Sequence, residues 1–192
     1  VCPSPGNVTG GSITSEECTM AVMRACQKLE QRISPYYTSG ESWADAVSAA
    51  TYAGADLVAT GLGNTARVAP PNASRYNSWG CAVSVVEVDT LTGQFEIKHT
   101  DLLFDCGISM NPAIDIGQVE GGFMFGVGWF TSEEVKWDPT TGYAEMAGSW
   151  RYKPPGAYDV PEVLNVTLLE NSNNKVGVLN SKAVGEPPLA LA

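Results

Sequence analysis

Apolar residues recur every three or four positions in two stretches near the start of the chain. The first begins after Thr14-Ser15-Glu16-Glu17, an order typical of a helix-capping box, and it stops at Pro35. Its apolar positions are Cys18, Ala21, Val22, Ala25, Cys26, Leu29 and Ile33. A weaker stretch with the same spacing covers residues 42–53 and ends at Gly54. The pattern predicts two amphipathic helices, the first beginning at Thr14.

In the middle of the chain the pattern changes to alternating positions rich in β-branched residues. A short strand is predicted at residues 57–60 and a long one at residues 80–89. Thr92-Gly93 then forms a turn into a strand at residues 95–104, so the two long strands should make a hairpin. A last strand is predicted at residues 163–169.

A glycine-rich helix is predicted between the hairpin and the last strand. Asn111 suits the cap position and Pro112 the first helical position, and the helix should extend to about Glu133. The sequence contains no internal repeat and no low-complexity linker. We therefore predict an α+β fold, a single lobe in which amphipathic helices pack on a mixed or antiparallel sheet.

Composition narrows the classes of partner. The 192 residues are 44% hydrophobic, which suffices for one sizeable core, and the net charge is −10 without any Lys/Arg cluster. Nucleic acids and anionic lipids need positive patches, so neither is an expected partner. The chain begins at Val1 and ends in a proline-led stretch that resembles the first turn of a helix, which predicts a piece cut at both ends.

The cysteine count argues against a metal clip or a disulfide framework. Five cysteines are present and none is spaced as Cys-x-x-Cys, so a reducing cytosol is expected, with a peroxisome as the alternative. Cys18 and Cys26 are predicted to be core residues. Three glycosylation sequons, at Asn7, Asn72 and Asn165, leave a secreted glycoprotein open. With His99 as its only histidine, read as solvent-facing, the chain predicts no metal-ligand set.

Three segments could carry chemistry. The first is residues 9–15, where consecutive glycines enter a helix start and could bring backbone N–H groups to a phosphate or a pterin edge. An ordinary loop capped by Thr14 explains the same residues, and the residues alone favour that explanation. The tryptophans are interpreted as core rather than as a substrate platform; they are Trp79, Trp129, Trp137 and Trp150.

The second segment is the helix at residues 115–128, which contains five glycines. Each interior glycine costs about 0.8–1.0 kcal/mol of helix propensity relative to alanine, so something must require close approach. Tight helix packing and approach by a ligand explain the glycines equally well. Gln118 is a polar group within this apolar stretch, and a cofactor could be its hydrogen-bonding partner.

The third segment is residues 181–188, in which Glu186 stands between Gly185 and a proline pair. Pro187 should restrict Glu186 to extended conformations, and a stiffly held carboxylate suits a general base. A charged residue at a helix N-terminus is the simpler explanation from these residues alone.

Taken in order, these segments resemble the xanthine dehydrogenase/aldehyde oxidase family of molybdenum hydroxylases. The resemblance is carried by Asn-Pro-Ala-Ile-Asp-Ile-Gly-Gln-Val-Glu-Gly-Gly-Phe at 111–123 and Ser-Lys-Ala-Val-Gly-Glu-Pro-Pro-Leu at 181–189, with similar stretches at 87–93 and 152–155. It implies that residues 1–192 are the second molybdopterin-binding domain, truncated at both ends.

The resemblance also implies roles for individual residues. Glu186 falls on the active-site base and Gln118 on the glutamine that hydrogen-bonds the cofactor. The loop that contacts the pterin and its phosphate comprises Gly10, Gly11, Ser12, Ile13, Thr14 and Ser15. In the family, alanine often stands where this chain has Gly10 and Gly11, which leaves backbone contacts intact. No protein side chain is expected to ligate the metal.

The family hydroxylates an electron-poor carbon of an aldehyde or of an N-heterocycle such as a purine, with water as the oxygen source. The resemblance implies 2Fe-2S clusters and FAD in other parts of the enzyme, with NAD or oxygen as electron acceptor, and a homodimer. The isolated chain should not turn over substrate. A non-catalytic binding lobe of the same fold is the alternative.

Overall fold

Two units make up the chain, Val1–Arg75 and Tyr76–Ala192. The structure is a computed structural model that describes residues 10–11, 13–63, 76–146, 148–172, 179 and 181–192. Within these ranges no helix combines the length and mean hydropathy needed to cross a membrane.

Two helices form the first unit, as the apolar spacing predicts. Helix α1 spans Ile13–Ile33 and helix α2 spans Trp43–Tyr52. Helix α1 begins at Ile13, one residue before the predicted start at Thr14, and the capping box there stays a prediction. Helix α2 does have a capping box, in which Ser42 and Asp45 each accept a backbone N–H of the other.

The strand predicted at residues 57–60 is wrong, because these residues belong to no strand. Its carbonyl groups accept hydrogen bonds from basic side chains that recur every four residues on α1, and these replace a strand partner. The donors and acceptors are Arg32 to Asp56 and Val58, Lys28 to Thr60, and Arg24 to Leu62. The alternation of apolar residues at 57–60 therefore does not reveal that the partners of this segment are side chains of α1.

The second unit contains a mixed three-stranded sheet. Strands β1 (Trp79–Val88) and β2 (Phe95–Asp105) pair antiparallel, and β3 (Val163–Leu168) lies parallel to β2 on its other side. Gly93, at φ 76°, closes the hairpin. The hairpin, the last strand and the mixed sheet confirm the predicted α+β class.

Helix α3 (Pro112–Thr131) follows β2 in the sequence, precedes β3, and packs on the sheet. It begins as predicted, with Asn111 as the cap and Pro112 at the first position. A short helix, α4 (Ser149–Tyr152), follows it. The buried core joins α3 to the sheet and to residue 184, and comprises Ile97, Leu102, Phe104, Cys106, Val119, Phe123, Val127 and Val184.

Several residues predicted to be core lie on the surface. Trp79, Trp129, Trp137 and Trp150 are all more than 60% exposed, and Cys26 is exposed as well, whereas Cys18 is half-buried. For Trp79 and Trp129 the reason is geometric: one helix on one face of three strands offers a small interior, and apolar residues beyond that interface remain outside it. Apolar character alone does not say which side of an element is covered.

Candidate functional site

The loop that leads into α1 presents backbone rather than side chains. Gly10 and Gly11 are exposed, and a Cβ built on either would meet no atom of the described residues within 4 Å. Gly11 has φ 54°, a left-handed conformation that glycine adopts without strain. Ser12 and the side chain of Ile13 lie outside the described residues. The two described loop residues that precede α1 therefore carry no side chain.

Thr14 and Ser15 complete the predicted loop from within the first turn of α1. Thr14 is half-buried and Ser15 is exposed. The Ser15 carbonyl accepts a hydrogen bond of 2.8 Å from the Thr19 hydroxyl, so its backbone belongs to the helix. The loop belongs to the first unit, and Gln118 and Glu186 belong to the second.

Four of the five glycines of α3 fall into two sets, and the fifth, Gly128, is buried where a Cβ would collide with Glu133 and Pro155. A Cβ on Gly122 would stand 2.6 Å from the Gly185 carbonyl oxygen, and a Cβ on Gly126 would stand 2.6 Å from the Ala192 Cβ. A Cβ on Gly117 or Gly121 would meet nothing within 4 Å in the part of the chain that the structure describes. Tight packing therefore explains the first two glycines, and it does not explain the other two.

Gln118 lies on the exposed side of α3, between those two open glycines. Its carboxamide reaches the segment that carries Glu186, because a Cβ built on Gly185 would stand 2.9 Å from Gln118 Oε1. Gln118 therefore lies beside the residue that directly precedes Glu186, although the two positions are distant in sequence.

Backbone hydrogen bonds hold the segment before Glu186. The Ala183 N–H donates to the Tyr76 hydroxyl at 2.9 Å, and the Lys182 N–H donates to the Cys106 carbonyl at 3.0 Å. Ala183 and Val184 are buried. These contacts hold the backbone that leads into Gly185 and Glu186.

Glu186 is exposed, and it begins a 3₁₀ turn that spans Pro187–Leu191. The prediction of an extended conformation is wrong: Glu186 has φ −98° and ψ −40°, because its carbonyl accepts the Leu189 N–H at 3.1 Å and closes the turn. Pro188 is buried beneath α3, next to Gly122. Glu186 therefore lies at the start of a helical turn, and the proline pair that follows it is held against α3.

The other reactive side chains do not form a second site within the described ranges. Burial, followed by the neighbouring Asp115 carboxylate, raises the pKa of Cys106, so its thiol stays protonated near neutral pH and is a poor nucleophile. His99 pairs with Asp101 at 2.9 Å on an exposed face. No three His, Cys, Asp or Glu side chains among these residues could hold a metal ion.

Sequence reasoning did not find Gly185, Tyr76 or Ser78 as parts of this site. The Ser78 hydroxyl donates to the Ala183 carbonyl at 3.4 Å, beside the Tyr76 contact. No spacing rule reveals such contacts, since each joins positions far apart in the chain. For Gly185, the only available signal was its place directly before the candidate carboxylate.

Two curated relatives match nearly the whole chain. Indole-3-acetaldehyde oxidase of Arabidopsis thaliana is 42% identical over 190 residues, which cover 97% of this chain and 14% of that protein. Xanthine dehydrogenase of Calliphora vicina is 42% identical over 190 residues, which cover 94% of this chain and 14% of that protein. The chain therefore spans about a seventh of the length of these curated relatives.

The fold has a counterpart among solved structures. Aldehyde oxidoreductase from Desulfovibrio gigas superposes with a TM-score of 0.66 at 20% identity, over 94% of this chain and 20% of that chain. The sequence profile of the molybdopterin cofactor-binding domain family matches residues 1–161. This chain therefore belongs to the molybdopterin cofactor-binding domain family.

Proposed function

We propose that the chain is the second molybdopterin-binding domain of a molybdenum hydroxylase, with Glu186 as its general base. The enzyme hydroxylates an electron-poor carbon of an aldehyde or of an N-heterocycle such as a purine, with water as the oxygen source. The observation that supports the proposal is that the Gln118 carboxamide lies beside Gly185, the residue that directly precedes the exposed Glu186.

The residues present fit the cofactor that the family implies. A pterin carries ring nitrogens and a carbonyl that pair with a carboxamide, and Gln118 offers both a donor and an acceptor on an exposed helix face. Its phosphate is an anion, and the exposed Gly10–Gly11 backbone precedes a helix start. We assign contacts with the pterin and its phosphate to Gly10 through Ser15.

Glu186 can act as a base because its carboxylate is exposed while its backbone is held. When bound, the molybdenum–pterin group would supply the two-electron oxidation that hydroxylation with water requires. Glu186 would accept the proton that water loses, at one of its carboxylate oxygens. Gln118 would hold and orient the cofactor. The hydrogen-bonded segment before Glu186 would limit the movement of the Glu186 backbone.

The chain matches aldehyde oxidases and xanthine dehydrogenases equally well, at 42% identity to one of each. We therefore propose both an aldehyde and an N-heterocycle as the substrate class. The proposal includes 2Fe-2S clusters, FAD and an electron acceptor, NAD or oxygen, in the rest of a homodimeric enzyme in the cytosol or a peroxisome.

Replacement of Glu186 by Gln in the full-length enzyme tests the proposal. The change keeps size and hydrogen bonding and removes the base, so turnover should fall about 10²–10⁴-fold while molybdenum per protein stays at the wild-type value. Turnover is measured per bound molybdenum, with an aldehyde and a purine as substrates. Full activity in this variant would refute the role of Glu186 and would leave the non-catalytic binding lobe as the better account.

A further inference from the structure

We propose that Gly185 is a positioning residue that couples Gln118 to the loop carrying Glu186. The inference rests on the proposed function, in which Gln118 holds the cofactor and Glu186 is the base. It adds a third residue, which touches neither substrate nor cofactor and acts by leaving space for the Gln118 carboxamide.

The need for glycine at this position comes from one contact. Gly185 does not have a left-handed φ, so alanine would fit the backbone there without strain. The only atoms within 4 Å of its built Cβ belong to the Gln118 side chain, with Oε1 at 2.9 Å and Cδ at 4.0 Å. An added methyl group would therefore collide with the carboxamide and with nothing else among the described residues.

The Gln118 side chain, rather than the loop, should yield to such a collision. The loop is tied down by the Ala183–Tyr76 and Lys182–Cys106 hydrogen bonds, and the Gly185 carbonyl is itself packed against α3 at Gly122. Gln118 is an exposed side chain with three rotatable bonds, and its displacement costs little stability. Gly185 thus sets the direction in which the carboxamide points.

Gly185 therefore links Gln118, which contacts the cofactor, to Glu186, the base. Contact with Gly185 keeps the carboxamide against the same stretch of backbone that places Glu186, so the hydrogen-bonding group and the carboxylate share one support. A substitution at Gly185 should therefore behave like a loss of Gln118 without damage to folding. No hydrogen bond of Gly185 itself is needed for this effect.

A double-mutant cycle in the full-length enzyme tests the coupling. The variants are Gly185→Ala, Gln118→Ala and the pair together. Gly156→Ala is the matched control, because the nearest atom to a Cβ on Gly156 is 3.6 Å away, at Asp159 Oδ2, and its φ is −96°. Molybdenum per protein is measured after dialysis, with the melting temperature of the cofactor-free protein and a crystal structure of Gly185→Ala.

Loss of one oriented hydrogen bond predicts a decrease of about 2–10-fold in molybdenum retained by either single variant. The double variant should retain as much as Gln118→Ala alone, because the methyl group then has nothing to displace. The Gly185→Ala crystal structure should show the carboxamide displaced and the Glu186 backbone unmoved. The control should retain wild-type molybdenum, and all melting temperatures should agree.

The coupling is overturned if the two losses multiply in the double variant, or if the loop moves while the carboxamide stays. It is also overturned if Gly156→Ala loses as much molybdenum as Gly185→Ala. A failure of the proposed function gives a different result. If Gln118→Ala retains full molybdenum while the crystal structure shows the displaced carboxamide, the coupling stands and the cofactor role of Gln118 does not.

Discussion

The two faces of α3 use the same residue types for different purposes. The covered face packs on the sheet and on residues 185–192, and it is buried at Val119, Gly122, Phe123, Gly126 and Val127. The open face is exposed within the described residues and carries Ile114, Gly117, Gln118, Gly121, Phe125 and Trp129. Tight packing therefore explains Gly122 and Gly126, and it explains neither Gly117 nor Gly121.

Gly117 and Gly121 lower the helix propensity of α3, and no packing contact among the described residues requires them. Each forfeits about 0.8–1.0 kcal/mol relative to alanine. On the covered face, close contact between helix and backbone offsets that loss. On the open face, Gly117 and Gly121 flank Gln118, the residue assigned to the cofactor, and an approaching ligand is the explanation that we favour there.

Replacement of Gly126 by Val should have the largest effect on the covered face. A Cβ there already meets the Leu189 carbonyl and Ala192, so the turn after Glu186 must shift. We expect the full-length enzyme to lose about 2–3 kcal/mol of stability and most of its turnover per molybdenum. Thermal unfolding and steady-state kinetics measure the two losses.

The matched control for this change is Phe125→Val, one residue along on the exposed side. It should change the free energy of unfolding by no more than about 0.5 kcal/mol. Equal melting temperatures for the two variants would show that the two faces do not differ in packing.

Replacement of Gly117 by Ala should give the opposite combination. Helix propensity should raise the stability of the cofactor-free protein by up to about 1 kcal/mol, because the added Cβ meets no atom of the residues that the structure describes. If a cofactor approaches this face, molybdenum per protein should nevertheless fall. Wild-type molybdenum content in a stabilised variant would remove the ligand explanation for the open glycines.

Replacement of Tyr152 by Phe, beyond the C-terminal end of α3, should have the smallest effect, a change in how stability depends on pH. A hydrogen bond with Glu133, and secondarily burial, raise the pKa of Tyr152. A raised folded-state pKa means that this stabilisation is complete below the unfolded value of about 10 and is lost as pH rises through the folded value. Tyr152→Phe should therefore show a shallower loss of stability between about pH 9 and pH 11. Parallel alkaline slopes for the two proteins would contradict this.

Local patterns predicted most of the elements but not which surfaces are covered. The periodicity placed α1, α2, α3 and the hairpin within one or two residues, because each depends on neighbours in sequence. The segment at residues 57–60 was misassigned because its partners are basic side chains of α1, and no local signal contains them. Trp129 was misplaced because its helix has two apolar sides and only one sheet.

The candidate site was predicted by resemblance more than by physics. From the residues alone, Glu186 was better explained as a charge at a helix start, and the structure does put it at the start of a turn. What sequence reasoning could not supply is its proximity to Gln118, which depends on how α3 crosses the chain at Gly185. The sequence alone does not distinguish a glycine required by a tertiary contact, such as Gly185, from a glycine in an ordinary turn.

The most direct test of the account is an experimental structure of the full-length enzyme with its cofactor. The account predicts that the Gln118 carboxamide lies within about 3.2 Å of a pterin atom and that the Glu186 carboxylate faces the molybdenum from the same side of α3. A cofactor bound away from Gln118, or a Glu186 carboxylate turned away from the metal, would contradict it.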